Sequence, residues 1–383
     1  MKTRRPLLAF SLAFLLATMC LGGTLPAAAQ DEPPVPTDVT VYNPWVQLFP
    51  ALRRLPAPDW VGEGLRATYY VQTALVGGDP DVTGSSGAVL LQYDLVALDR
   101  RNALFSTTMY LENGAGGMTP NLVVGSRTIP AAGEYYLNPA VLVGAEAVAN
   151  DELTVLSMPT TIGDQAYQAK RFQYETAKAT HVWMYDEVTG ILLFYRHEID
   201  TADGQQLTDM TLVGARALAI PWLDGDAPEW ATRGWSFRME GSLETAVAGA
   251  SAVSIPQSVE GRITRAGARW TEYSVDSGAG SLNAASLVRA SGGSQLKDAL
   301  WLPAEALTIR SRRRVLDTDP VTGAEVIFAR RSNSVEISET GNGWSTVWSY
   351  NTRSGMLQDF SQQTQVGLAT LTLSMETVAS GND

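Results

Sequence analysis

The chain has 383 residues, of which 40 are acidic and 28 basic, and its formal net charge at pH 7 is −12. This balance argues against nucleic acid and anionic membrane surfaces as partners, because both attract clusters of Lys and Arg. The length is enough for one large domain or two ordinary ones.

Residues 1–29 have the pattern of a secretory signal peptide. The basic residues Lys2, Arg4 and Arg5 come first and are followed by an apolar run at 7–21. Three alanines at 27–29 form a small-residue cleavage site. We therefore expect the mature chain to begin at Gln30 and to be exported, either to the periplasm or to the extracellular space.

Cys20 is the only cysteine, so a chain cleaved after residue 29 has no disulfide and depends on its apolar core. Cleavage leaves 25 basic and 40 acidic residues, a net charge of −15. Acylation of Cys20 is an alternative, although Met19 stands where a lipoprotein signal has a small residue. No later stretch has the roughly 18 apolar residues of a transmembrane segment.

Residues 30–57 form a Pro-rich lead-in, in which fixed φ angles and missing N–H donors prevent long regular elements. Within it, residues 43–49 (NPWVQLF) are apolar enough to dock on the folded body. The first repeat then begins with Pro58-Asp59-Trp60. Pro228-Glu229-Trp230 begins the second, and strand-like alternation follows both.

The clearest repeated element is a β-hairpin, HVWMYDEVTGILL at 181–193 and TVWSYNTRSGMLQ at 346–358. In each copy Asp or Asn opens a turn through its side chain, and a Gly four residues later takes the positive φ that closes it. The matching residues are Trp183, Tyr185, Asp186, Thr189 and Gly190 with Trp348, Tyr350, Asn351, Ser354 and Gly355.

Further matching segments stand in the same order, at 135–139 with 299–303 and at 169–171 with 329–331. They predict repeat domains at 58–220 and 228–380, joined by a linker at 221–227. Helical periodicity is confined to short stretches at 138–146 and 303–307. We predict an all-β, mainly antiparallel fold of two tandem curved-sheet or half-barrel domains from an internal duplication, with few short helices.

A curved sheet needs a helix, another repeat or a ligand on its concave face. Alternation places Trp183 and Tyr185 on one face of their strand, where packing between strands is the interpretation we favour over a binding platform. As ligand-binding candidates the sequence offers seven aromatic residues: Trp60, Tyr69, Trp183, Tyr185, Trp230, Trp348 and Tyr350.

The Trp-x-Tyr-Asp-x-x-Thr-Gly-x-Leu hairpin, followed by Glu198, Asp200 and then Asp203-Gly204, resembles the pattern of bacterial periplasmic lipoprotein-carrier proteins and of periplasmic stress-sensor domains related to them. The resemblance covers the hairpin region in each half. It implies a strongly curved antiparallel half-barrel that encloses lipid chains and is not enzymatic. This chain differs from that family in having no clear helices to fill such a half-barrel.

Catalytic patterns are scarce. The two histidines, His181 and His197, do not recur in the second copy and have no metal-ligand spacing. The mature chain has no thiol nucleophile and no Gly-x-Ser-x-Gly elbow. His181 acting as a base beside Asp186 or Tyr185 is an alternative to an ordinary strand histidine. We predict no catalytic residue, no metal site and no cofactor, and expect a protein that is not an enzyme.

Charged groups give two weaker candidates. Glu198 and Asp200 share a strand face with Arg196, which suits either a glycosidase pair or an ordinary ion pair. Arg310, 312 and 314 alternate along one strand, which suits either a phosphate or sulfated-glycan site or an exposed edge. The Gly-rich residues 112–117 lead into no helix and are interpreted as a loop.

Two functions therefore remain open. The first is an exported, non-catalytic protein that holds a lipid or another apolar or amphipathic ligand on its curved sheets. The alternative is an envelope or surface module that recognises glycan or protein through exposed aromatics, including Tyr70. A hydrolase is the third. Inward-pointing aromatics around a cavity favour the first function, and an outward row favours the second.

Overall fold

A computed structural model describes residues 43–76, 86–201, 204–249, 251–277 and 287–382. The predicted signal peptide, residues 30–42 of the lead-in and most of the Gly-rich stretch at 77–87 lie outside this described part.

The first sheet has nine strands: β1 (Leu65–Val76), β2 (Ser86–Leu98), β3 (Ala103–Glu112), β4 (Met118–Thr128), β5 (Leu153–Ile162), β6 (Gln165–Glu175), β7 (Ala179–Asp186), β8 (Leu192–Thr201) and β9 (Gly204–Ala217). Their order is β4-β3-β2-β1-β9-β8-β7-β6-β5. The chain therefore starts in the middle of the sheet, runs out to one edge, and returns from the other edge until β9 pairs with β1.

The second sheet has ten strands: β10 (Trp235–Val247), β11 (Val253–Ala266), β12 (Trp270–Ser277), β13 (Leu287–Gly292), β14 (Arg313–Thr318), β15 (Glu325–Arg330), β16 (Ser334–Gly341), β17 (Trp344–Asn351), β18 (Leu357–Val366) and β19 (Ala369–Asn382). Their order is β13-β12-β11-β10-β19-β18-β17-β16-β15-β14. The path repeats that of the first sheet, with one additional edge strand, β14.

Helical structure in the described residues is limited to single turns. They are α1 (Trp45–Leu48), α2 (Ala304–Thr308) and the 3₁₀ turns Pro50–Arg53, Pro139–Val141 and Ala145–Val148. The 3₁₀ turns after Asn138, together with α2, lie in the two stretches where the sequence predicted short helices. Asn138 caps the first of them, because its side chain accepts a hydrogen bond from the backbone N–H of Ala140.

The predicted fold class is confirmed: two antiparallel sheets that arise from a duplication, with few short helices. The duplication extends to irregularities of the strand pairing. The pairing of β1 with β9 shifts between Thr68 and Tyr69, and that of β10 with β19 shifts between Arg238 and Met239. The β7–β8 and β17–β18 pairs shift next to Tyr185 and Tyr350 respectively. Such matching bulges are features of a shared architecture.

By its contacts the chain divides into two units. One comprises the described residues of Gln30–Phe105 and Arg127–Ala217, and the other those of Ser106–Ser126 and Leu218–Asp383. The hairpin formed by most of β3 and β4 thus belongs, by its contacts, with the second sheet. The repeat limits of 58–220 and 228–380 stay a prediction. In the described part of the chain, no helix has the length and apolar character needed to cross a membrane.

Candidate functional site

The two repeated hairpins are closed by the same side-chain chemistry. Asp186 Oδ2 accepts hydrogen bonds from the backbone N–H and the hydroxyl of Thr189 at 2.9 and 2.6 Å. Asn351 Oδ1 accepts hydrogen bonds from the backbone N–H groups of Arg353 and Ser354 at 2.8 and 3.1 Å. Both are the Asx-type turns that the sequence predicts.

The hairpin glycines are required for two reasons. Gly190 and Gly355 have φ values of 75° and 70°, which residues with a Cβ rarely adopt. A Cβ at Gly190 would lie 1.8 Å from the carbonyl oxygen of Leu137, and one at Gly355 would lie 2.2 Å from that of Leu302. The close approach allows Leu137 and Leu302 to donate backbone hydrogen bonds of 2.8 Å to the two glycine carbonyls. Each hairpin is therefore docked on the segment before the short helical turns.

The first aromatic of each repeat also serves the hairpin turn. Trp60 and Trp230 are half-buried. The Trp60 indole N–H donates a 2.6 Å hydrogen bond to the carbonyl of Thr189, and that of Trp230 donates a 2.8 Å bond to the carbonyl of Ser354. These indoles fix the turn, and a ligand contact for either one stays a prediction.

Three further candidates lie in the core of the first repeat. Tyr69, Trp183 and Tyr185 are buried. The Tyr69 hydroxyl donates to the carbonyl of Leu192 at 2.8 Å, and the Tyr185 hydroxyl accepts from the indole N–H of Trp45 at 2.9 Å. Burial raises the pKa of both tyrosines.

The second repeat places its pair in the same way. Trp348 and Tyr350 are buried, and their polar atoms are bonded to neighbouring loop residues: the indole N–H to Asp298 Oδ1 at 3.2 Å, the hydroxyl to the carbonyl of Ala299 at 2.9 Å. Burial of the Trp-Tyr pairs favours packing, the interpretation preferred from the sequence. Their ligand contacts stay a prediction.

A tryptophan from outside each repeat fills its aromatic core. Trp45, in α1 of the lead-in, makes edge-to-face contacts with Phe172, Trp183 and Tyr185 at centroid distances of 4.9 to 5.4 Å. In the second repeat Trp222 of the linker packs into the core cluster. The predicted docking of the apolar lead-in is thus seen for Trp45.

The sequence reasoning did not single out these two tryptophans. A signal for them exists, because Pro44-Trp45 and Pro221-Trp222 are the same dipeptide placed ahead of each repeat.

The side of the first sheet that carries Trp45 is called here the aromatic face. Near the hairpin turn its residues are buried, as Tyr69, Trp183 and Tyr195 show. Towards the opposite strand ends the residues on the same face are half-buried. We name this region the open end; it consists of Thr73, Tyr174, Ala179, His197, Ile199 and Gln206.

Both histidines lie at the transition between the buried part and the open end. His181 and His197 are cross-strand partners whose rings stack at 4.2 Å with an interplanar angle of 12°. His181 also stacks on Trp183 at 5.4 Å, and its Nδ1 is 3.1 Å from the Tyr195 hydroxyl. Burial, and then the neighbouring His197, lower the pKa of His181 to about 4. Stacking on Trp183 and His197 favours the interpretation of His181 as an ordinary strand histidine, and a lowered pKa makes its ring a weaker base.

The equivalent positions in the second sheet are occupied by different residues. The register of β16, β17 and β18 identifies these residues. Glu339 stands in place of Tyr174, Trp344 of Ala179, Thr346 of His181, Gln362 of His197 and Thr364 of Ile199. Four of these five are buried, and Gln362 is half-buried.

The β3–β4 hairpin covers those positions in the second sheet. The Tyr110 hydroxyl donates to Glu339 Oε1 at 2.9 Å, and its ring lies 6.3 Å from that of Trp344. Thr364 is hydrogen-bonded to the hydroxyl of Thr119 at 3.3 Å. The Gln362 amide donates to the backbone carbonyl of Pro120 at 2.6 Å. One end of the duplicated face is thus filled by the chain itself in the second sheet and is half-exposed in the first.

No protein-family model matches the chain, and no curated protein matches it. Among solved structures, MucB in complex with MucA(peri) is similar at 8% identity and a TM-score of 0.21, covering 87% of this chain and 92% of that chain. A DUF3598-family protein from Nostoc punctiforme is similar at 12% identity and a TM-score of 0.14, covering 83% and 96%. Transferrin binding protein B from Neisseria meningitidis is similar at 7% identity and a TM-score of 0.16, covering 76% of this chain and 53% of that chain. TM-scores of this size do not establish a shared fold.

The acidic and basic candidates form ion pairs. Arg196 makes two hydrogen bonds of 2.7 Å to Asp209, a partner that the sequence did not suggest, and lies 3.7 Å from Glu198. Asp200 is exposed. Across the described residues, no group of three or more His, Cys, Asp or Glu side chains is arranged to hold a metal ion.

The unit of the second sheet contains a Lys–Tyr–Glu cluster with the composition of a catalytic site, but its side chains are buried and a substrate cannot reach them. Lys297 donates hydrogen bonds to Tyr110 and Glu339, and all three side chains are buried. Because the lysine and the carboxylate satisfy each other, the cluster fastens β3 to β16. The Gly-rich loop beside it is also tied down: Asn113 Oδ1 accepts from the N–H groups of Ala115 and Gly117 at 3.0 Å.

Proposed function

We propose that this is an exported binding protein that holds an apolar or amphipathic ligand, such as a lipid chain, at the open end of the first sheet. One observation supports this most. The same end of the second sheet is covered by a segment of the chain, whereas in the first sheet it is half-exposed. A duplicated scaffold with one filled and one accessible face is suited to accept a ligand at the accessible one.

The residues of the open end indicate the chemistry of the ligand. The second sheet presents Glu339, Gln362 and Thr364 to the polar groups of its covering hairpin. The first sheet presents Tyr174, His197 and Ile199 instead. Replacement of carboxylate, amide and hydroxyl groups by ring and alkyl surface favours an apolar occupant, because such surface gains free energy when it leaves water.

Ring orientation argues against a glycan at this place. Sugars bind aromatic side chains through the ring faces, but the faces of His181 and His197 are stacked on each other. Tyr174 in turn stacks on His181, with an interplanar angle of 26°. The rings consequently offer edges rather than a flat platform.

A segment of a partner protein is the second candidate. The occupant of the equivalent surface in the second sheet is a polypeptide hairpin, residues 106–126. An envelope protein that supplies a similar hairpin would bury the same edges of the first sheet. Export to the periplasm or beyond rests on the signal-like residues 1–29 and is part of this proposal.

Native mass spectrometry of protein purified gently from its exported compartment, combined with organic extraction, tests the proposal. We expect a near-stoichiometric apolar ligand on the wild-type protein. Ile199→Asp places a carboxylate in the open end and should weaken binding at least about tenfold, because a buried unpaired charge is costly. Val188→Asp, at the exposed hairpin turn, is the matched control and should retain the ligand.

A protein that is bare, and stays bare after incubation with envelope lipids, would contradict the lipid proposal. Equal ligand occupancy in wild type and Ile199→Asp would place any ligand elsewhere. A co-purifying polypeptide that Ile199→Asp releases would instead support the second candidate.

A further inference from the structure

A second concave surface lies in the first repeat, away from the open end. The 3₁₀ turn Pro50–Arg53, the Pro-rich segment after it and the β2–β3 turn line an open surface pocket of about 700 Å³. We call it the arginine pocket; the lining residues that matter here are Arg53, Arg54, Leu55, Val61, Leu98 and Arg100. Its volume falls within the range of roughly 300–1,000 Å³ that is typical of small-molecule sites.

The rim of the pocket is cationic. Arg53, Arg54 and Arg100 are exposed, and within the described residues none of their guanidinium groups is paired with a carboxylate. Two carboxylates also line it, Asp59 and Asp99, so the lining keeps a net charge of +1 from three arginines against two carboxylates. Asp99 Oδ1 accepts hydrogen bonds from the backbone N–H groups at 101 and 102.

The floor of the pocket is apolar and held in place. Val61 and the neighbouring prolines Pro58 and Pro130 are buried, and Leu55 and Leu98 are half-buried. The backbone N–H of Val61 donates to the carbonyl of Pro58 at 2.9 Å. Because proline fixes φ, this floor loses little conformational freedom when a ligand binds.

From a cationic rim above a rigid apolar floor we infer that the arginine pocket binds an anionic amphiphile. Its phosphate or carboxylate head pairs with the guanidinium groups, which match such heads in planar, bidentate geometry. Its alkyl part lies on Leu55, Val61 and Leu98. The pocket shares no residue with the open end, so this inference stands independently of the proposed function.

Calorimetric titration of the mature protein with dodecyl phosphate, below its micelle concentration, tests the inference. Inorganic phosphate represents the head alone, and dodecyl maltoside represents the alkyl chain with a neutral head. The pocket variant is Arg53→Gln/Arg54→Gln/Arg100→Gln. The control variant Arg233→Gln/Arg314→Gln/Arg353→Gln removes the same charge from three exposed arginines elsewhere.

We expect dodecyl phosphate to bind one per chain, and at least about tenfold more weakly to the pocket variant, since charge-assisted hydrogen bonds are lost. The control variant should bind like the wild type. Equal affinity in the pocket variant overturns the inference. So does equally tight binding of dodecyl maltoside that Ile199→Asp, the variant that impairs the open end, leaves unchanged. If inorganic phosphate binds as tightly as dodecyl phosphate, the amphiphile is ruled out. All six arginines are exposed, and matching unfolding curves confirm that both variants fold.

Discussion

The two repeats agree at one end of their sheets and differ at the other. At the hairpin end, an Asx turn, a positive-φ glycine and an indole hydrogen bond to the turn recur in both repeats. At the far end, a stacked histidine pair in the first sheet corresponds to Thr346 and Gln362 in the second. The recurring residues are the scaffold, and the residues that differ are those that meet either the covering hairpin or solvent.

The largest expected effect concerns the tryptophans that fill the two cores. Trp45→Ala and Trp222→Ala should each lower the free energy of unfolding by about 3–5 kcal/mol, because each removes a fully buried indole. Urea unfolding followed by far-UV circular dichroism measures both losses. Val188→Ala, at an exposed position, is the control and should change little. A loss below about 1 kcal/mol for Trp45→Ala would show that the lead-in is not part of the first core.

The histidine pair should make the stability of the first repeat depend on pH. In the folded protein the pKa of His181 is about 4, lowered from 6.5, and burial also lowers that of His197. Between pH 6.5 and about 4 the unfolded chain binds more protons at His181 than the folded chain does. The free energy of unfolding therefore falls as the pH drops from about 7 towards 4. The lowered pKa of His181 alone corresponds to a loss of at most about 3 kcal/mol in the free energy of unfolding.

The second sheet supplies the control for this prediction. His181→Thr/His197→Gln introduces the residues that stand at the equivalent positions there. Urea unfolding at pH 7 and at pH 4.5 should show a smaller acid loss for this variant than for the wild type. Equal acid losses would mean that carboxylates, and not the histidine pair, set the acid sensitivity.

The duplication and the all-β fold were predictable because the recurring landmarks contact one another. Trp60, the hairpin turn and the segment ending at Leu137 meet through direct hydrogen bonds, so each must keep its spacing. The open end was not predictable in this way. It is recognised by contrast with the second sheet, where residues 106–126 cover the equivalent positions, and a contact across more than 200 residues leaves no periodicity in the sequence.

The same limit applies to the candidate site. Two of the aromatic residues predicted as ligand contacts, Trp183 and Trp348, are buried in the cores, and a ligand contact for either one stays a prediction. Alternation gives the face on which a side chain lies, but not how far along that face the core extends. The extent is set by Trp45 and Trp222, which enter from outside the repeats.

The smallest expected effect lies in the hairpin turns, where we expect equivalent substitutions in the two repeats to cost the same stability. Asp186→Ala and Asn351→Ala each remove two hydrogen bonds from an Asx turn and should cost about 1 kcal/mol, since the freed N–H groups regain water in part. Asp186→Asn copies the second repeat and should cost less than Asp186→Ala. Urea unfolding resolves these differences. A much larger loss for Asp186→Asn would mean that its charge, and not its turn geometry, holds the first hairpin, and the two turns would then not be equivalent.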